Sequence, residues 1–183
     1  MIVVETKTAK QTQKAAQLLA QEMQKSGEKG MRIIALEGEL GSGKTTFAQG
    51  FAAALGVKEK ILSPTFVLMK IYELRQETGN KRQGFKRLAH IDCYRLDSPA
   101  DLRYLGFGDL LKDKDAIILI EWADRIRRLI PRGALRVKFR HGERPHERLL
   151  QFLNPVIQLG LSRQRRDTKR ILPKLIYGVN PKP

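Results

Sequence analysis

At 183 residues and 42% hydrophobic content, the chain has room for one α/β core and an appendage. No apolar run approaches a membrane span, the N-terminus lacks a charged start followed by a long apolar core, and the single Cys93 has no cysteine to pair with; a soluble, cytoplasmic protein without membrane contact is expected. The formal charge of +16 is polarised: residues 1–62 carry 9 Lys/Arg against 6 Asp/Glu, residues 63–124 carry 10 against 10, and residues 125–183 carry 16 against 3, which points the last third toward nucleic acid or an acidic partner.

Residues 1–5 read as a short first strand. From Thr8, the side chains of Ala15, Ala16, Leu18, Leu19 and Met23 fall on one helical face, and residues 26–30 end that helix. Residues 31–37 are an apolar strand, and residues 45–55 a helix that Gly56 stops. Between them lies Gly38-Glu39-Leu40-Gly41-Ser42-Gly43-Lys44-Thr45, which fits G-x-x-x-x-G-K-[ST]. A strand before and a helix after distinguish it from a glycine-rich turn that ends in Lys-Thr by accident. Glycines let successive backbone N–H groups curl toward phosphate oxygens, and the helix N-terminus adds its partial positive charge. In such a loop Lys44 bridges the β- and γ-phosphates and the Thr45 hydroxyl holds Mg²⁺, so ATP and Mg²⁺ are the expected ligands.

Within residues 61–72, Ser63-Pro64 breaks the chain out of any helix, and β-branched and aromatic residues then suggest a strand. Thr65 is open to two readings: a switch hydroxyl near the γ-phosphate and Mg²⁺, or a plain turn before the strand. Residues 75–87 are polar and read as a long loop between strands. Residues 88–94 alternate as a strand that carries His90 and Asp92 and delivers Arg95. A short helix spans 99–106, with proline inside its start and glycine at its end, and residues 109–111 add a turn.

Residues 116–122 form the clearest buried strand. Five apolar residues end in Glu121, as in a Walker-B strand, where the crevice of a parallel sheet holds ligand. An acid there can bind Mg²⁺ or orient the attacking water, and that role is favoured over its being the first solvated residue of a loop. Asp92 is a second acid of the same kind. His90 alone reads more readily as a structural or partner-facing histidine than as a catalytic one. Three histidines and one cysteine in no ligand spacing argue against zinc. Residues 124–129 look helical, 134–140 alternate as a half-exposed strand, 141–146 turn, and 148–153 pair back antiparallel. Residues 154–183 form a basic extension with Arg163, Arg165, Arg166, Lys169, Arg170 and Lys174. It is either a partner-binding segment or a solvated tail.

In this order, Gly38 to Phe47, Ser63-Pro64-Thr65-Phe66, His90-Ile91-Asp92-Cys93-Tyr94-Arg95-Leu96, Leu105-Gly106-Phe107 and Glu121-Trp122 resemble the bacterial TsaE family. Its members are small P-loop ATPases used in making threonylcarbamoyladenosine at position 37 of tRNA. The likeness spans about residues 1–153, which would be the ATPase domain, with 154–183 as an extension outside it. It implies a P-loop NTPase-like α/β domain with a mixed sheet flanked by helices. It implies ATP contacts from Gly38, Glu39, Leu40, Gly41, Ser42, Gly43, Lys44, Thr45, Thr46 and Trp122, and Mg²⁺ on Thr45 and Glu121. It gives Glu121, Asp92 and Thr65 catalytic or switch roles, and TsaB and TsaD as partners in a complex that ATP hydrolysis resets. Weak intrinsic hydrolysis stimulated by partners is expected, with tRNA or an acidic protein face as the counterpart of the basic third. Glu39 stands where the family usually has Asp, and Ala123 where it has Pro; both departures are mild. A small-metabolite or nucleotide kinase shares the size and the loop, but leaves the Ser63–Phe66 and Glu121-Trp122 blocks unexplained. A nucleotide-gated binding module without hydrolysis is a third reading.

Overall fold

A computed structural model describes residues 2–26, 32–59, 61–63, 67–74, 84–96 and 98–153. Thr65 and the extension at 154–183 lie outside the described residues, as does most of the 75–87 loop.

The chain runs β1 (Ile2–Thr6), α1 (Ala9–Ser26), β2 (Ile33–Gly38), α2 (Lys44–Ala54), β3 (Met69–Glu73), β4 (Arg87–Asp92), α3 (Asp101–Tyr104), α4 (Phe107–Lys112), β5 (Ala116–Glu121), a 3₁₀ turn over Ala123–Ile126, β6 (Leu135–His141) and β7 (Arg148–Leu153). The seven strands form one sheet in the order β1-β7-β6-β2-β5-β4-β3. The four inner strands β6, β2, β5 and β4 are parallel, while β7, β1 and β3 join antiparallel at the edges. This is the mixed sheet that the sequence led us to expect.

Burial follows position in the sheet. The apolar runs of β2 and β5 are buried almost throughout, because helices cover both faces of the central strands. On one face α1 and α2 pack Leu19, Met23, Phe47 and Phe51 against Val137, Phe139, Leu150 and Phe152. The Phe47 ring meets that of Phe139 edge-on at 5.6 Å. On the other face α3, α4 and the 3₁₀ turn cover β4, β5 and β2 through Leu102, Phe107, Leu110 and Ile126. Nothing in that second cluster comes from β6, β7 or β1. Strand β6 accordingly alternates: Leu135, Val137 and Phe139 point into the core, and Arg136, Lys138 and Arg140 point away from it.

The Arg32 guanidinium fastens the second layer by donating to the carbonyls of Leu110, Leu111 and Asp113 at the end of α4, where carbonyls run short of intrahelical donors. Two local readings are corrected. The helix expected at 124–129 is a four-residue 3₁₀ turn, and the strand expected within 61–72 begins only at Met69. Tight packing of Ala123 and Ile126 onto the sheet favours a short turn over a full helix there.

Helices α1 and α2 approach so closely that a Cβ on Gly50 would sit 2.5 Å from the Gln13 carbonyl oxygen and 2.6 Å from its Cα. Backbone cannot yield as a flexible side chain does. Gly50→Ala is therefore expected to destabilise the fold by about 2–3 kcal/mol, through overpacking, in urea unfolding; an unchanged midpoint would show that the two helices can move apart.

Candidate functional site

The site begins where β2 turns into the loop. Gly38 has φ +143°, and a Cβ there would lie 2.6 Å from the Phe139 carbonyl oxygen, so only glycine fits. The loop closes at Gly43 (φ 99°), whose carbonyl accepts the Phe47 N–H at 2.9 Å as α2 starts at Lys44. The first-turn N–H groups of α2 thus face the loop opening without intrahelical acceptors. Lys44 folds back beneath the loop. Its ammonium donates to the carbonyls of Gly38 and Glu39, both at 2.8 Å, and lies 3.8 Å from the centre of the Trp122 ring. It is 4% exposed. Burial pushes its pKa below the ordinary lysine value, with Glu121, Asp124 and Asp92 pulling back.

Glu121 ends β5 in register with Leu36 of β2 and Asp92 of β4. It is 1% exposed yet fully engaged. Its Oε2 accepts the Thr45 hydroxyl at 2.6 Å, and its Oε1 lies 2.9 Å from Nε2 of the equally buried His90. In the ionised form Glu121 can only accept, and His90 Nε2 then donates. His90 Nδ1 makes no hydrogen bond among the described residues.

Asp92, also buried, accepts the Tyr94 N–H at 2.9 Å on Oδ1 and the Ser63 hydroxyl on Oδ2. It thereby ties the start of the Ser63-Pro64-Thr65 block to the end of β4. Trp122 adopts the left-handed region at φ 55°, which turns its ring between Lys44 and Tyr94, whose ring centre is 4.8 Å away.

Lys44, Thr45, Glu121, Asp92 and Trp122 are therefore brought together. Ser42 is buried beside Lys44, Thr46 lies in the first turn of α2, and Glu39, Leu40 and Gly41 form the exposed rim. Two participants escaped the sequence. His90 stood in the block that carries the resemblance, but nothing in its alternating strand pointed to Glu121 as its partner. Arg148, at the start of β7, donates to the Gly41 carbonyl at 3.1 Å, so the β6–β7 hairpin braces the tip of the loop. Only the sheet order, which sets β6 beside β2, could have revealed it.

A buried lysine inside a strand–loop–helix turn, with an acid at the end of the neighbouring parallel strand, defines a P-loop NTPase-like α/β protein. A family model described as "Threonylcarbamoyl adenosine biosynthesis protein TsaE" matches residues 6–149, and the chain belongs to that family. Among its relatives, the tRNA threonylcarbamoyladenosine biosynthesis protein TsaE of Bacillus subtilis is 34% identical over 105 residues, 57% of this chain and 59% of that protein. The protein of the same name from Rickettsia felis is 36% identical over 121 residues, 66% of this chain and 61% of that protein. The chain thus spans about three fifths of the length of these two relatives. The crystal structure of YdiB from Bacillus subtilis matches with a TM-score of 0.65 and 25% identity, over 93% of each chain.

Beside Asp92, burial pushes the Cys93 thiol up to about 12, the Asp92 charge adding and Arg125 opposing. At pH 8 the group stays a thiol and is enclosed. Labelling of the native protein by a thiol reagent should run at least about 100-fold slower than in denaturant; comparable rates would show that the end of β4 opens readily.

Proposed function

We propose that the chain is a Mg²⁺-dependent ATPase subunit of the apparatus that threonylcarbamoylates adenosine 37 of tRNA, working in the cytoplasm with TsaB and TsaD homologues and resetting their complex. The observation that carries this reading is the contact between the Thr45 hydroxyl and Glu121, placed beside the buried Lys44 at the start of α2.

In this reading the loop amides, the N-terminus of α2 and Lys44 hold the phosphates of ATP. Thr45 and Glu121 offer hard oxygen donors already in contact, which suits Mg²⁺, an ion commonly held by one or two carboxylates together with nucleotide phosphates. When bound, the ion neutralises charge on the β- and γ-phosphate oxygens. His90 is a positioning residue: its Nε2–H fixes one carboxylate oxygen of Glu121 and leaves the other toward Thr45. Asp92 lies next to Glu121 across β4 and β5, and its bond to the Ser63 hydroxyl holds that residue beside the site. Trp122, packed on Lys44, would report on occupancy. With no arginine assigned to the transferring phosphate, turnover by the chain alone would be slow.

The test is phosphate release from Mg-ATP by the chain alone and then with a TsaB–TsaD pair. Marked stimulation is expected. Phosphate appearing on a small acceptor instead would make the protein a kinase, and nucleotide binding without release in either condition would make it a nucleotide-gated binding module.

Two substitutions separate binding from hydrolysis. Lys44→Ala should weaken ATP about 10- to 100-fold in equilibrium binding, as expected for losing a charged hydrogen-bond donor; unchanged affinity would remove the loop assignment. Glu121→Gln should still bind nucleotide but lose Mg²⁺-dependent hydrolysis, and wild-type turnover would shift the acid role to Asp92.

A further inference from the structure

The charge that the ATP site does not use is concentrated after β5. Residues 125–148 carry 9 Lys/Arg against 2 Asp/Glu. On β6 the alternation sends Arg136, Lys138 and Arg140 to the sheet face that α3 and α4 leave bare. Glu37 neutralises Arg136, which it holds at 2.5 Å, with Arg127 at 3.5 Å on its other oxygen. Lys138 and Arg140 make no ion pair among the described residues. They line a cleft of about 650 Å³ together with Arg127 and His141, and the cleft's far wall is formed by Glu39 of the loop and by Trp122.

We propose that this open β6 face binds the phosphodiester backbone of an RNA strand and leads it along the cleft to the edge of the nucleotide loop. Alternate residues of a strand stand about 6.6 Å apart, a step on the scale of successive phosphates in one nucleic-acid strand. Lys138 and Arg140 therefore present a row of cations rather than a point. Three carboxylates line the cleft: Glu37 on β2, which Arg136 and Arg127 engage, and Glu39 and Asp124 on its loop and 3₁₀ walls, so the cations without an ion partner are on the β6 side.

An acidic protein would complement the same charge. Protein interfaces, however, depend on buried aromatic and large apolar anchors, and among the described residues the exposed large apolar side chains include none between 125 and 153. The choice of RNA builds on the reading of the chain as a component of tRNA modification; the surface itself stands on charge and geometry.

The test uses the full chain, with labelled bulk bacterial tRNA as probe, in anisotropy titrations between 50 and 200 mM salt. Wild type should bind with steep salt dependence. Lys138→Glu with Arg140→Glu should weaken binding more than tenfold at low salt and make the log–log salt slope shallower by about 1.4–1.8, since each phosphate contact contributes roughly 0.7–0.9. Lys138→Gln with Arg140→Gln should fall between, and thermal melting followed by circular dichroism should confirm that both variants fold.

Binding of a fluorescent ATP analogue, measured in parallel, separates this proposal from the ATPase reading. Loss of tRNA affinity with ATP affinity retained supports the surface. Equal loss of both would mean that the substitutions act through the loop, and would overturn it. Identical tRNA binding and salt slope in wild type and variants would overturn it too, as would competition by polyglutamate as effective as that by tRNA at equal charge.

Discussion

A carboxylate sealed from water at the end of a strand is the constraint on which this molecule depends. Glu121 is 1% exposed, and an ion so placed is tolerable only if every lone pair that matters is met. Thr45 and His90 meet them from the first turn of α2 and from β4. One side chain thus joins three elements that are distant in sequence, and each must hold its register for the others to be satisfied. The polar centre sits where the loop begins, so fold and candidate chemistry share the same bonds.

The sheet is covered unequally, and the sequence shows it. Where helices lie on both sides, as over β2 and β5, the strands are apolar almost without interruption. Where, among the described residues, α1 and α2 cover one side only, β6 and β7 alternate, and β6 places cations at its other positions. The chain could have placed neutral polar residues there. Placing charge beside the loop keeps a bare sheet face soluble and gives it an electrostatic sign.

Much of this was legible beforehand because the informative signals were local. The loop between β2 and α2, the apolar run ending in Glu121, and the β6–β7 pairing all rest on spacing within a few residues. What stayed hidden depends on contacts across the sheet. His90 could not be told from a structural histidine, since its partner lies 31 positions on and alternation alone does not reveal what it faces. Arg148 reads as one more cation until the strand order brings it to Gly41. The 3₁₀ turn at Ala123–Ile126 looked helical because its apolar spacing suits either form over so few residues.

The outer edge of the sheet has a consequence for how the protein is made. Among the described strands, β1 pairs with β7 alone, with Ile2 opposite Phe152 and Thr6 opposite Arg148. As the chain is synthesised, β1 therefore waits for this partner until β7 has been made. Until then β1 is an edge waiting for its partner, and pairing it with β7 joins segments at opposite ends of the described domain.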